Sequence, residues 1–223
     1  MWAQYVLDNF ATVNEAVNAL SKEPFYIATI KNDDGTGTGL HLAISDPKGD
    51  SAIFEYIDGK LKIHHGKEYK VLTNSPEFDK QLAINQYWQE RASIIFPGTN
   101  NASDRFARSS YYIKTVPQVS NEKEAFSIIL SIIRAASTPL GLKAKPDEQS
   151  VSPTLWRTIS DQKNKIYYFE STHEKNIFWI NLKDMNFKED QPIKRLDFNN
   201  GKYYSGNAAK EFKDMESFTF APA

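Results

Sequence analysis

The chain has 223 residues, with 27 Lys plus Arg against 28 Asp plus Glu, a formal net charge of −1 and no cysteine. Hydrophobic residues at 40% and charged residues at 25% describe a chain that can bury a core, which excludes wholesale disorder. The near-neutral balance offers no field for nucleic acid or anionic lipid, and zero Cys excludes disulfides, cysteine-ligated metal and a cysteine nucleophile within these residues.

Trp2, Tyr5, Val6 and Phe10 recur at helical spacing, so a first helix ends near Phe10. The spacing Thr12-x-x-Glu15 is a capping box ahead of the stripe Val13, Ala16, Val17 and Leu20, which predicts a second helix over 13–20. Pro24 stops it. The segment 25–30 is strand-like, and 32–39 is a Gly-rich loop that lacks the Lys-Ser/Thr of a phosphate loop and precedes a strand rather than a helix. Segments 40–45, 52–56, 60–64 and 69–73 read as four strands. The turn sequences Asp46-Pro47-Lys48-Gly49, Asp58-Gly59 and His65-Gly66 join them into an antiparallel meander.

Ser75-Pro76-Glu77 predicts a helix start, with Ser75 as N-cap and Pro76 at the first helical position. Phe78, Leu82 and Trp88 share its apolar face to about Arg91. Ser103 or Asp104 caps a short helix through Ser110. Asn121-x-x-Glu124 caps another, with the stripe Phe126, Ile129, Ile132 and Ile133. A crossing loop over 138–153 leads to strands at 154–160, 165–170 and 176–182, and the tail after Asp184 is polar and weakly patterned. Segregated helices and strands predict an α+β fold, as one domain over 1–223.

Most candidate chemistry has a plain structural reading. His64 and His65 are neighbours on a strand, so they point to opposite faces and cannot share a metal. His41 and His173 have no ligand spacing, and no metal or other cofactor is expected. There is no Gly-x-Ser-x-Gly elbow, and Asp33-Asp34 reads as solvated turn. Two features resist dismissal. Asn74 sits where a strand gives way to a helix, either as part of the cap or as an amide offered to a ligand. Arg105 lies near a helix start, where the helix dipole disfavours a cation, so it calls for a carboxylate partner or a site.

Several blocks occur in a familiar order: Leu40–Asp46, Gly49, Ala52–Tyr56, Asp58–Leu61, Val71–Pro76, Phe78–Leu82, Pro97-Gly98, Ser103–Arg108, Thr154–Trp156, Asp161 and Tyr167-Tyr168. Together they resemble the choloylglycine hydrolase family, which includes bile salt hydrolases and penicillin V acylases. The resemblance implies stacked antiparallel sheets flanked by helices, here a partial αββα N-terminal-nucleophile hydrolase fold. It implies hydrolysis of linear non-peptide C–N amides of the bile salt, penicillin V or acyl-homoserine lactone type. The family's nucleophile is an N-terminal Cys whose own α-amine, with a pKa of roughly 8, can act as base. Carried across, Asn74 matches the asparagine whose amide donates to the oxyanion, and Arg105 matches the arginine beside the nucleophile.

This sequence has no counterpart of the family's opening part, which carries the Cys with a nearby Arg and Asp, so the expectation is the latter two-thirds of a family member, inactive alone. The alternative is a non-catalytic binding or scaffold protein that keeps the sheet core. The stretch between Arg91 and Pro97 is short, as in the Gram-negative branch, whereas other branches carry an excursion there that helps tetramer assembly. A tetramer is therefore not carried over. The expected partner is a small-molecule amide substrate, with no nucleic acid and no membrane. Homo-oligomerisation or association through exposed sheet edges stays open, and so does a periplasmic location for a precursor bearing a signal peptide.

Overall fold

The structure, a computed structural model, describes residues 2–25, 27, 40–142, 152–198 and 201–216. Most of the predicted strand at 25–30, the whole Gly-rich loop and part of the loop at 138–153 lie outside the described residues. The chain is α+β and divides into two compact units, 2–98 with 102–110 and 99–101 with 111–216 among the described residues.

The first unit opens with α1 (Trp2–Asn9) and α2 (Val13–Leu20). The α2 start follows the capping box: Thr12 Oγ1 accepts from the Glu15 N–H at 3.3 Å, and the Glu15 carboxylate reaches back to the Ala11 N–H at 2.9 Å. Strands β1 (His41–Ser45), β2 (Ser51–Ile57) and β3 (Lys60–His65) then form a three-stranded antiparallel sheet with β2 in the centre. The Asp46 turn does more than reverse the chain. Its buried carboxylate accepts from the N–H groups of Lys48 at 2.9 Å and Asp50 at 3.3 Å, and on its other oxygen from Val13 at 3.1 Å, at the start of α2. Burial pushes the Asp46 carboxyl up, but these three backbone donors, with Lys48, outweigh it and hold the group below its ordinary value.

Both faces of β2 are covered. Ala52 and Phe54 point to α1 and α2, packing with Val6, Val13, Ala16 and Leu20. Ile53, one residue out of phase, points the other way and packs with Phe78 and Phe106 from the next two helices. This explains a strand buried almost continuously rather than in alternation.

Helix α3 (Phe78–Arg91) begins later than predicted. Neither Ser75 nor Pro76 plays the expected part: Glu77 is the N-cap residue and makes no side-chain cap bond, and the Ser75–Pro76 peptide is cis. The cap comes from the sheet. Glu55, 4% exposed on the Ile53 face of β2, accepts from the Phe78 N–H at 2.9 Å through Oε2, while its Oε1 pairs with His41 Nδ1 at 3.2 Å. A carboxylate at a helix N-terminus satisfies an orphan donor and complements the dipole.

The predicted fourth strand over 69–73 does not form. Its polar groups are spent elsewhere: the Tyr69 N–H donates to Gly66 O, the Lys70 N–H donates to Glu68 O, and Tyr69 O accepts from the Ser51 hydroxyl. Tyr69, Val71 and Leu72 still bury apolar surface against Ile53 and Phe78, which is why the segment reads as a strand. Helix α4 runs Ala102–Thr115, longer than expected, with Ser103 and Asp104 inside its first turn rather than capping it.

In the second unit, α5 (Glu122–Ala135) is capped as predicted, with Asn121 Oδ1 accepting from the Glu124 N–H at 3.0 Å. Its buried residues are Leu130 and Ile132, while Ile129 is exposed. Leu130 follows Phe126 by four residues and so shares its face more closely than Ile129 does. Strands β4 (Trp156–Asp161), β5 (Ile166–Ser171) and β6 (Ile177–Asn181) form an antiparallel meander. The tail is more ordered than its pattern implies. β7 (Ile193–Arg195) pairs with β9 (Lys213–Met215), and β8 (Gly206–Asn207) lies parallel to β6. Phe178, Leu196 and Ala208 form the buried cluster there, packed by Phe169, Ile180, Tyr204 and Phe212.

Candidate active site

The two residues that resisted a plain structural reading meet. Asn74 lies on the exposed connection between β3 and α3. Arg105 is the fourth residue of α4 and half-buried beside Phe106 and Ala107. The Arg105 Nη2 donates to Asn74 Oδ1 at 2.8 Å. Burial, and after it the neighbouring Arg108, push the Arg105 guanidinium below its ordinary value, although arginine keeps its proton in proteins. A cation in the first turn of a helix is held against the dipole, so the Asn74 contact accounts for part of what stabilises it there.

That hydrogen bond fixes the Asn74 amide. Guanidinium only donates, so the atom facing Arg105 is the carbonyl oxygen. The NH2 group is left as a donor on the other side of the side chain, and it makes no hydrogen bond among the described residues. An exposed amide donor beside a fixed cation is an arrangement that can stabilise negative charge developing on an oxygen.

The supports of this pair are residues that sequence reading passed over. Gln81, on the buried side of α3, is 1% exposed and bonds the carbonyls around Asn74. Its signal was available: it lies three residues after Phe78, on the core-facing side of the helix, where a polar residue is out of place. On α4, Arg108 Nη1 donates to Pro97 O at 3.1 Å and Ala107 O accepts from Gln89 at 3.2 Å, which ties the helix to α3 and the loop after it.

The histidines do not assemble. His41 pairs with Glu55, His64 with Asp79 at 2.7 Å and His65 with Asp50 at 2.9 Å, so adjacent His64 and His65 do face opposite ways. Among the described residues no group of three or more His, Cys, Asp or Glu is placed to hold a metal.

Comparisons with known proteins identify the family. The family model for linear amide C–N hydrolases of the choloylglycine hydrolase family matches residues 1–195. The chain belongs to that family. It is 45% identical, over 99% of its own length, to a penicillin V acylase from Pectobacterium atrosepticum, and it spans 63% of that relative's length. A solved penicillin V acylase from Agrobacterium tumefaciens superposes with a TM-score of 0.89 at 47% identity, covering 100% of this chain and 68% of that one. A variant of the conjugated bile acid hydrolase from Clostridium perfringens gives a TM-score of 0.62 at 25% identity, covering 80% of this chain and 60% of that one.

Proposed function

We propose that this chain supplies the charge-stabilising part of a linear amide hydrolase site of the penicillin V acylase type. The observation that carries the reading is the 2.8 Å hydrogen bond from Arg105 to Asn74 Oδ1, which leaves the Asn74 NH2 free to donate to an oxyanion. In this reading a cysteine thiolate attacks the amide carbonyl, its own α-amine taking the proton. The oxygen becomes negative in the tetrahedral intermediate, and Asn74 donates to it while Arg105 holds Asn74 and adds positive potential. Collapse expels the amine, which takes a proton, and water then releases the acyl group from sulfur. The sequence of 223 residues holds no Cys, so the nucleophile of this scheme is not among them, and the chain by itself is expected to be inactive. Penicillin V, a phenoxyacetyl amide, is the favoured substrate class because both relatives near 45% identity are named for it.

The test joins to this chain the segment of the Pectobacterium acylase that it does not match, and measures release of 6-aminopenicillanic acid from penicillin V. Turnover by the joined protein supports the reading. In that background Asn74→Ala should lower kcat by about 100-fold, the usual effect of deleting one oxyanion donor. Turnover by the 223-residue chain alone would refute the cysteine requirement. The absence of Cys favours one other reading, a non-catalytic binding or scaffold protein, and an inactive but folded joined protein would select it.

A further inference from the structure

Gln81 is among the largest fully buried side chains described, and it is polar. A buried amide is costly unless its donors and acceptor are bonded, and a Leu or Met would fill the same space without that demand. Here the demand is met by one stretch of chain. The Nε2 of Gln81 donates toward Pro76 O at 2.6 Å, Asn74 O at 2.9 Å and Thr73 O at 3.3 Å. Its Oε1 lies 2.6 Å from the Thr73 hydroxyl. That hydroxyl is also 2.8 Å from Ala102 O, the first residue of the helix that bears Arg105. One amide and one hydroxyl therefore join the backbone on both sides of Asn74 to α3 and to the start of α4.

We propose that Gln81, acting with Thr73, is the positioning residue of the Asn74–Arg105 pair. It does not touch substrate. It holds 73–76 against α3 and, through Thr73, against Ala102, so that the Asn74 oxygen meets the guanidinium and the NH2 group keeps one direction. Its bearing on turnover rests on the function proposed above; its bearing on geometry does not.

The test is Gln81→Met, which keeps the volume and removes the polar groups, with Thr73→Val as the second variant should the first fail to fold. With nitrogen-labelled asparagine, the Asn74 side-chain amide resonances should shift and exchange faster in the variant, while those of Asn121, on the α5 cap, stay in place. In the joined enzyme, kcat should fall by about 10-fold to 100-fold with KM nearly unchanged. Asn74→Ala added to Gln81→Met should then cost much less than it does alone, because a mispositioned donor has little left to lose. Unmoved Asn74 resonances in a folded variant, or a full Asn74→Ala cost in both backgrounds, would overturn the assignment. If Asn74→Ala alone leaves turnover unchanged, the proposed function fails, and the resonances by themselves decide the role of Gln81.

Discussion

Glu170 is the charge whose removal the second unit should feel most. It is 9% exposed on β5 and bridges two arginines. Arg157 Nη1, from β4, donates to Oε2 at 2.9 Å, and Arg134, near the end of α5, donates to Oε1 through Nε at 3.1 Å and also through Nη2. The two contacts are unequal. The Arg157 side chain is 15% exposed and otherwise keeps a neutral partner, the Ser137 hydroxyl, so breaking its pair leaves a largely shielded cation without its counter-charge, an effect of about 3 kcal/mol. The Arg134 side chain is 51% exposed, so that contact is solvent-screened and adds about 0.5 kcal/mol. Glu170→Gln should therefore destabilise this unit by about 3–4 kcal/mol at neutral pH, read as a lower urea midpoint at unchanged slope. Salt should erase the smaller part only.

The pH dependence gives a sharper check. Burial pushes the Glu170 carboxyl up, but the Arg134 and Arg157 contacts outweigh it and hold the folded-state value below the ordinary one. A depressed carboxyl contributes stability that is fully present above its unfolded value of about 4.3 and is lost as pH falls through the folded value. Wild type and Glu170→Gln should thus differ most near pH 7 and converge in acid, once the wild-type carboxyl also carries a proton. A destabilisation of the same size at pH 7 and in acid would show that packing, not charge, carries the effect, and would refute the reasoning.

Phe54→Ala removes a side chain with no exposed surface from the cluster between β2 and the first two helices, and should cost about 3–5 kcal/mol in guanidinium unfolding of the first unit. Asp46→Ala removes the acceptor of three backbone N–H groups and should cost about 2 kcal/mol. Because the Asp46 carboxyl is also held below its ordinary value, that loss should shrink as the solution is acidified, which thermal melts at two pH values will show. Asn121→Ala removes the α5 cap and should cost about 1 kcal/mol, with the loss of helical circular dichroism confined to fraying of the first turn.

The hairpins and two of the caps were legible because their causes are local. Asp58-Gly59 joins β2 to β3, and Thr12 and Asn121 cap the helices that begin one residue later. What was not legible has distant causes. The start of α3 is set by Glu55, 23 residues upstream in sequence, so Ser75 and Pro76 carried a persuasive but idle signal. Segment 69–73 has the apolar content of a strand, yet its polar groups find a turn and two side chains instead of a ladder. The pairing of β7 with β9 joins two three-residue polar segments, too short for any period to show.

The site divides along the same line. Local rules left Asn74 undecided between cap and ligand, and left Arg105 merely misplaced at a helix start. Each anomaly explains the other once they are adjacent: the arginine is tolerated near the α4 start in part because an amide oxygen faces it, and the asparagine is no cap because its oxygen is already taken. Gln81 extends the argument one step. A polar residue at core spacing on α3 looks like a loss of stability when read alone. Its amide is satisfied by the Thr73 hydroxyl and by the carbonyls of Thr73, Asn74 and Pro76, so the same contacts that make its burial tolerable fix the direction of the asparagine's remaining donor.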